Sequence, residues 1–343
     1  MVTIPATNQG SQVAESQLWP ANQLGLGPPA ASATDAHPAG DGSIDYAAEQ
    51  LFHDEWGKTI DARKVPVIES FEACTAPENR FIMSWLGDVR GMHVLDLGCG
   101  AGEAAVYFAL KGATVTAADI SPEMLGVTRQ VARRHGVRVR CIRQNAECLD
   151  LPSNSFDVVY AANLLHHVNL RRCLSQVCRV LAPQGRFVCW DPLRHNPIIN
   201  LYRRIAAPVR TADERPLDMA SLKVFHRYFR HVQKRCFWLT SLWIFMRFFV
   251  IERANPSKER YWKKIITDAN RLQKTYRRLA TLDHLLLRAF PWLRRMCWNV
   301  VLCSCDPRSI PADNYHNPGL AWTVELPESD PQAPHEPAPQ AEQ

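Results

Sequence analysis

Residues 94–102 read Val94-Leu95-Asp96-Leu97-Gly98-Cys99-Gly100-Ala101-Gly102. The first four are apolar apart from one acid, the pattern of a strand buried on both faces. Gly98, Gly100 and Gly102 then predict a tight loop whose backbone can come close to a ligand, since a Cβ at those positions would stand in the way. Residues 103–110 continue as a helix whose first N–H groups point back at the loop. Strand, glycine loop and helix together make a small-molecule cradle at the carboxyl end of a sheet strand.

A dinucleotide fingerprint places glycine at the first, third and sixth loop positions. The sixth position here is Glu103, a carboxylate where a pyrophosphate would approach, and this argues against a nicotinamide cofactor. The Asp-Leu-Gly-x-Gly-x-Gly spacing instead resembles motif I of the class I S-adenosylmethionine (SAM) methyltransferases. That resemblance implies SAM as cofactor, with Asp96 near its cationic methionine end and Gly98, Gly100 and Gly102 cradling it.

Working outward, residues 113–120 read as the second strand, ending in Asp119 and Ile120. An acid there can accept both ribose hydroxyls through its two oxygens. Ser121-Pro122-Glu123 starts a helix with an N-cap, a first-turn proline and an acid at the positive dipole end. Gly136 ends it. A third strand over 137–143 leads to Gln144-Asn145-Ala146-Glu147. In the resembled family this place commonly reads Asp-Ala-Glu, so the resemblance implies adenine contacts from Asn145 and Ala146, with Asn145 departing from the usual acid. An amide can still accept from the adenine amine and donate to a ring nitrogen. Glu147 reads as a nearby cap or ion pair.

The fourth strand, 156–162, runs into Asn163-Leu-Leu-His166-His167-Val168. Asn163 is expected to hold the methionyl portion, chiefly through its backbone carbonyl. His167, and less directly His166, are candidate general bases, the alternative being a capping or packing role. Adjacent side chains are expected to diverge. Residues 174–181 form a helix, and Ala182-Pro-Gln-Gly185 turns into strand five, 186–191. That phrase resembles the ubiquinone/menaquinone-biosynthesis type of methyltransferase, and the likeness spans about residues 94–191. Asp191, at the end of strand five, and His195 just beyond it are candidate substrate ligands or parts of a loop-fixing polar network.

The chain's flanks and second half carry different signals. Its 343 residues are 46% hydrophobic, enough for one large core. Residues 1–43 and the proline-rich 307–343 read as disordered tails around a methyltransferase domain over 44–306. No secretory signal is visible, eleven cysteines lack a C-x-x-C pair, and a cytoplasmic protein with reduced thiols is expected. An N-terminal helix over 44–60 carries Tyr46, Leu51, Phe52 and Trp56, and in the resembled family such a segment often closes over the cofactor. Thr75-Ala-Pro-Glu78 reads as a capping box for the next helix, and Gly87 stops it. The net charge is +6, yet residues 201–300 alone hold 22 basic and 7 acidic residues, a balance of +15. The charge run Arg210-Thr-Ala-Asp-Glu214-Arg215 reads as a solvated loop. Strand six is expected over 232–241 and the last strand, antiparallel, over 300–305. Between them lies a helical insertion, about 242–298, and the apolar aromatic run Phe237 to Ile251 that leads into it has 15 residues, below the ~20 needed to span a bilayer. A long amphipathic helix with a basic face then runs from Pro256.

The resemblance implies a Rossmann-like α/β fold: a seven-stranded, mostly parallel sheet with helices on both faces and the insertion before the last strand. The implied reaction is methyl transfer from SAM to a small acceptor. The aromatic, basic insertion points to an apolar or lipid-like acceptor and to peripheral contact with an anionic membrane surface. Alternatives are a polar metabolite, nucleic acid or protein acceptor, or a non-catalytic SAM-binding protein. The nucleic-acid signal is weak, because no Asn/Asp-Pro-Pro-Tyr/Phe motif follows strand four. No metal is implied, since the ligands of the metal-dependent catechol type are not recognisable.

Overall fold

The computed structural model describes residues 45–205, 214–253, 261–309 and 324–325. The expected N-terminal tail, most of the C-terminal one, residues 210–213 of the charge run and the Pro256 helix start lie outside the described residues.

The elements follow in chain order. Helices α1 (Tyr46–Lys58), α2 (Glu69–Glu72) and α3 (Pro77–Leu86) precede strand β1 (His93–Leu97). Then come α4 (Glu103–Leu110), β2 (Thr114–Asp119), α5 (Pro122–Arg134), β3 (Arg140–Arg143), β4 (Phe156–Ala162) and α6 (Leu170–Val180). The second half runs β5 (Leu181–Pro192), α7 (Pro197–Ile205), α8 (Ser221–Tyr228), β6 (Phe229–Phe237), α9 (Trp243–Val250), α10 (Tyr261–Thr267), α11 (Ala269–Ala289) and β7 (Asn299–Pro307). The two-residue β8 (Val324–Glu325) completes the sheet.

The strand order is β6-β7-β5-β4-β1-β2-β3-β8. β1 pairs in parallel with β2 and β4, β2 with β3, and β4 with β5. Only β7, antiparallel to both neighbours, and β8 break the pattern. Seven strands with this order form the Rossmann-like sheet. Inside the stretch expected to be a tail, β8 pairs antiparallel with β3 through Ile142 and Arg143.

Burial explains why β1 sits at the centre. Val94, Leu95 and Leu97 are almost completely buried, on both faces of the sheet. One face packs Phe108, Val106 and Val131 from α4 and α5; the other packs Leu174, Val177 and Phe225 from α6 and α8. Both faces are thus covered, as a parallel sheet requires. All strands from β1 to β5 point their carboxyl ends the same way, so every loop that could bear chemistry opens on one edge.

The insertion is helical, with one correction. The long helix is broken at Asp268 into α10 and α11. A continuous helix would give the Ala269 N–H to the carbonyl of Ile265. Thr75 Oγ1 donates to that carbonyl instead, at 2.9 Å. A side chain entering the helical ladder is a recognised cause of such breaks. Thr75 is therefore not the predicted cap. Ala76 is the N-cap residue of α3 and provides no side-chain cap, and Glu78 turns the other way, accepting bonds from Trp238 and Asn299.

α9, α10 and α11 build a third core, in which Leu242, Ile244, Phe248, Ile265 and Leu272 surround Trp238. Asp283 of α11 ties it to the sheet. Its carboxylate accepts the backbone N–H groups of Leu239, Thr240 and Ser241 and both hydroxyls of Thr240 and Ser241. One acid thereby fixes the turn that leaves β6. No helix among the described residues is long and apolar enough to cross a membrane. All eleven cysteines are buried or half-buried thiols.

Candidate functional site

A cavity of about 370 Å³ opens at the carboxyl edge of the sheet, under α1 and the helical insertion. Its floor begins with the glycine loop. Gly98, Gly100 and Gly102 have φ of +71°, +51° and +86°, a region that L side chains rarely adopt. The space around them differs. A Cβ on Gly98 would lie 2.9 Å from Leu164 Cδ1, and one on Gly102 would lie 2.7 Å from Thr128 Cγ2. A Cβ on Gly100 would meet nothing within 4 Å. Gly98 and Gly100 line the cavity, whereas Gly102 lies behind the loop, packed on α5.

Two acids flank this loop. Asp96, at the end of β1, is 1% exposed, and its Oδ2 has no partner among the described residues. Burial pushes its carboxyl up to about 8; a backbone bond opposes this, and the charges of Glu103 and Asp119 add to it. Asp119, at the end of β2, accepts the N–H of Gly100 at 2.9 Å and that of Ser121 at 2.9 Å. Burial raises its carboxyl as well.

Further round the rim, Ile120, Asn145 and Ala146 line the same space. Asn145 Oδ1 already accepts the Glu147 N–H at 2.9 Å, while its buried Nδ2 has no partner among the described residues. The amide therefore offers the cavity a donor. Glu147 lies behind, accepting from the Asn169 N–H and facing Arg172 at 3.6 Å. Asn163 holds the left-handed φ of +52° at the end of β4 and also lines the cavity.

The two histidines do not diverge. Their ring centroids are 4.0 Å apart, and both face the cavity. Each has a carboxylate at Nδ1: Asp191 at 2.6 Å from His166, and Glu49 of α1 at 3.0 Å from His167. Glu49 also reaches His53 Nε2, at 2.9 Å. Burial alone would raise Glu49, but the bonds from His167 and His53 outweigh it and hold its carboxyl well below the usual range. Glu214 joins the pair: it, His166 and His167 each bring a potential metal-ligand atom within 4.8 Å of the others.

Asp191 and His195 both lie off the cavity lining. Asp191 is 1% exposed and does not line the cavity. It accepts the N–H groups of Leu165 and His166 as well as the imidazole, which makes it the loop-fixing group. Burial pushes its carboxyl up to about 7. His195 is exposed and outside the cavity, because α7 begins two residues later and carries the chain away.

Glu49, His53, Glu78, Asn299 and Glu214 were not singled out as site residues by sequence. Glu49 and His53 have an i,i+4 spacing that a helical reading of α1 could have paired. Glu78, Glu214 and Asn299 have no local signal, since distant strands and helices bring them to the cavity. α1 itself roofs the site: Tyr46, Phe52 and Trp56 line the cavity beside Glu49 and His53.

Comparison with known proteins finds methyltransferases. The methyltransferase-domain family profile matches residues 95–189. The ubiquinone biosynthesis O-methyltransferase of Bordetella parapertussis is 30% identical over 170 residues, covering 44% of this chain and 69% of that protein. The sterol 4-C-methyltransferase of Caenorhabditis elegans is 32% identical over 108 residues, covering 31% of this chain and only 32% of that protein. The chain thus spans about a third of the sterol enzyme's length. Among solved structures, phosphoethanolamine N-methyltransferase 2 of Haemonchus contortus has a TM-score of 0.50 at 18% identity, covering 78% of this chain and 61% of that one. It shares the fold. The sheet order, the glycine loop and these matches define a class I Rossmann-like methyltransferase. The chain belongs to the SAM-dependent methyltransferases of the ubiquinone/menaquinone-biosynthesis-like type.

Proposed function

We propose that the protein transfers the methyl group of SAM to a small acceptor with a largely apolar, lipid-like body. The observation that carries the reading is the pair of unpartnered buried groups in one cavity: Asp96 Oδ2 and Asn145 Nδ2. A buried carboxylate without a partner fits a cation, and a buried amide donor fits a ring nitrogen. With Asp119 between them, they match the methionine, adenine and ribose ends of SAM.

Bound SAM supplies an activated methyl on a sulfonium. The chain's own residues then have three tasks. Asp96 and the Asn163 carbonyl hold the methionine end, and Asp119 holds the ribose. Ile120, Ala146 and Asn145 hold the adenine. Alignment of donor and acceptor is the main contribution asked of the protein. For a hydroxyl acceptor, His167 takes the proton, and Glu49 stabilises the imidazolium so formed. His166, fixed by Asp191, packs beside it.

Support for an apolar acceptor comes from the cavity wall under the insertion, where Tyr202, Trp238, Phe245 and Trp298 are lining residues. The relatives named for quinone and sterol methylation point the same way. We further propose that the insertion touches anionic membrane. Trp243, Ile251, Leu285 and Trp292, all on or beside its helices, are each more than half exposed.

The test is calorimetry followed by mass spectrometry. S-adenosylhomocysteine is expected to bind and NAD is not; the reverse result would reject the cofactor. A product heavier by one CH₂ should then form when the protein and SAM meet a lipid extract. Products confined to nucleic acid, protein or the water-soluble fraction would reject the acceptor class.

A further inference from the structure

The cavity has a second polar end, remote from the histidines. Glu78 of α3 and Asn299, the first residue of β7, both line it, and they are 6% and 3% exposed. Glu78 Oε1 accepts Trp238 Nε1 at 2.8 Å and Asn299 Nδ2 at 2.7 Å. Its other oxygen is left out of both bonds. Asn299 Oδ1 is buried without a partner among the described residues. The bond to Glu78 uses one N–H of Asn299, and the Asn299 Oδ1 remains as an acceptor beside the second Glu78 oxygen.

Aromatic rings surround this end. Trp298 stands edge-on to Phe245, with centroids 4.6 Å apart, and Trp238 lies 6.1 Å from Trp298. An unpartnered buried acceptor is costly, and the cost disappears when a ligand donates to it. Burial raises the Glu78 carboxyl to about 7, which a donating or cationic partner would reverse. Aromatic faces add attraction for a cation.

Position gives the span. His166 and His167 follow β4, Asn299 opens β7, and β5 lies between these strands. At about 4.8 Å per strand step, the carboxyl end of β4 and the start of β7 lie roughly 10 Å apart.

We propose that Glu78 and Asn299 form an anchoring pole for the acceptor, selecting molecules that carry an N–H or O–H donor on an apolar body. The proposal rests on the methyltransferase reading of this cavity, and it adds what the far end of the acceptor must offer. A hydroxyl and an ammonium share the chemistry; Glu78 as a carboxylate distinguishes them, because a cation gains more from it.

Three probes of one shape test it: 4-phenylbutylamine, 4-phenylbutan-1-ol and the methyl ether of that alcohol. Each is titrated into the full chain with and without saturating S-adenosylhomocysteine. The amine and the alcohol are expected to bind at least about tenfold more tightly than the ether, which cannot donate. Glu78→Gln should weaken the amine by about tenfold or more and the alcohol by less, with S-adenosylhomocysteine affinity within about twofold of the parent. Asn299→Ala should weaken both donors. An ether that binds as well as the amine and alcohol, or no probe binding at all, overturns the pole, and this comparison needs only the parent protein. Loss of S-adenosylhomocysteine binding by the parent would overturn the cofactor reading instead, while the three probes still judge the pole.

Discussion

Asp96 shows how much one buried atom can decide. Its carboxyl, ordinarily near 3.8, is pushed up to about 8 chiefly by burial. In the ligand-free fold it therefore holds a proton across most of the window between those values. The folded state binds more protons there than the unfolded chain, so this group's contribution to stability falls as pH rises from about 4 to about 8. Glu78 and Asp191, both raised to about 7, act in the same direction. A cationic ligand favours the ionised form, so SAM binding at neutral pH should expel close to one proton from Asp96. Calorimetry in two buffers of different protonation enthalpy measures that proton. The release should vanish in Asp96→Asn, and its absence from the parent would take Asp96 away from the cationic end. His167 makes a separate expectation. His167→Ala should lower kcat toward a hydroxyl acceptor by roughly 10²–10⁴ with little change in SAM affinity. An unchanged rate would assign the proton to another group or the acceptor to an amine.

At the scale of elements, α1 is the part whose placement most affects the site. It carries Glu49 and His53 into the cavity, and it docks on the start of α5. Asp54 accepts the hydroxyl of Ser121 at 2.5 Å, and Gly57 is so close that an added Cβ would stand 2.9 Å from Glu123 Cβ. Gly57→Ala should therefore push α1 outward at a cost of about 1–3 kcal/mol. Faster hydrogen exchange over residues 46–58, together with weaker S-adenosylhomocysteine binding, would report the shift; unchanged exchange would mean that α1 tolerates the methyl. The elements from β1 to β5 were legible because their signals are local: apolar runs, the Ser121-Pro122 cap, the glycine stops at Gly87 and Gly136. The cavity-lining residues Asp96, Asp119, Asn145 and Asn163 were legible for the same reason, since each lies at or just after a strand end. What stayed hidden depends on partners far along the chain. Thr75 and Glu78 have the spacing of a cap, yet their partners are Ile265, Trp238 and Asn299, which no local pattern announces. Asp191 sits at the end of a strand like a site residue, and its contact with His166 at 2.6 Å was not legible, since the two lie on separate elements. The i,i+4 pairing of Glu49 with His53 is a local signal, whereas its contact with His167 is hidden because that histidine lies on another element.

For the molecule as a whole, charge and exposed apolar surface fall on the same part. α11 turns Leu272 and Tyr276 inward and leaves Lys274, Arg277, Arg278 and Arg288 exposed. Lys263 and Lys264 are committed elsewhere: Lys263 lies over the Trp56 ring, and Lys264 faces Glu252 at 3.8 Å and the Phe248 ring. The charge available for the proposed membrane contact is therefore the α11 set. Each such residue near an anionic leaflet is worth about 1 kcal/mol. Co-sedimentation with anionic vesicles should weaken with salt and be lost when Lys274, Arg277, Arg278 and Arg288 become Gln. Binding to neutral vesicles alone, or to none, would reject the contact.

The smallest strand has a consequence for how these molecules behave in company. β8 is two residues long, and it occupies the free hydrogen-bonding side of β3. An uncovered rim of backbone donors and acceptors is a template on which a neighbouring chain can add itself. A version of the protein ending at residue 309 would keep its cavity and lose that cover. Its characteristic defect would be precipitation at high concentration, with the cavity itself intact.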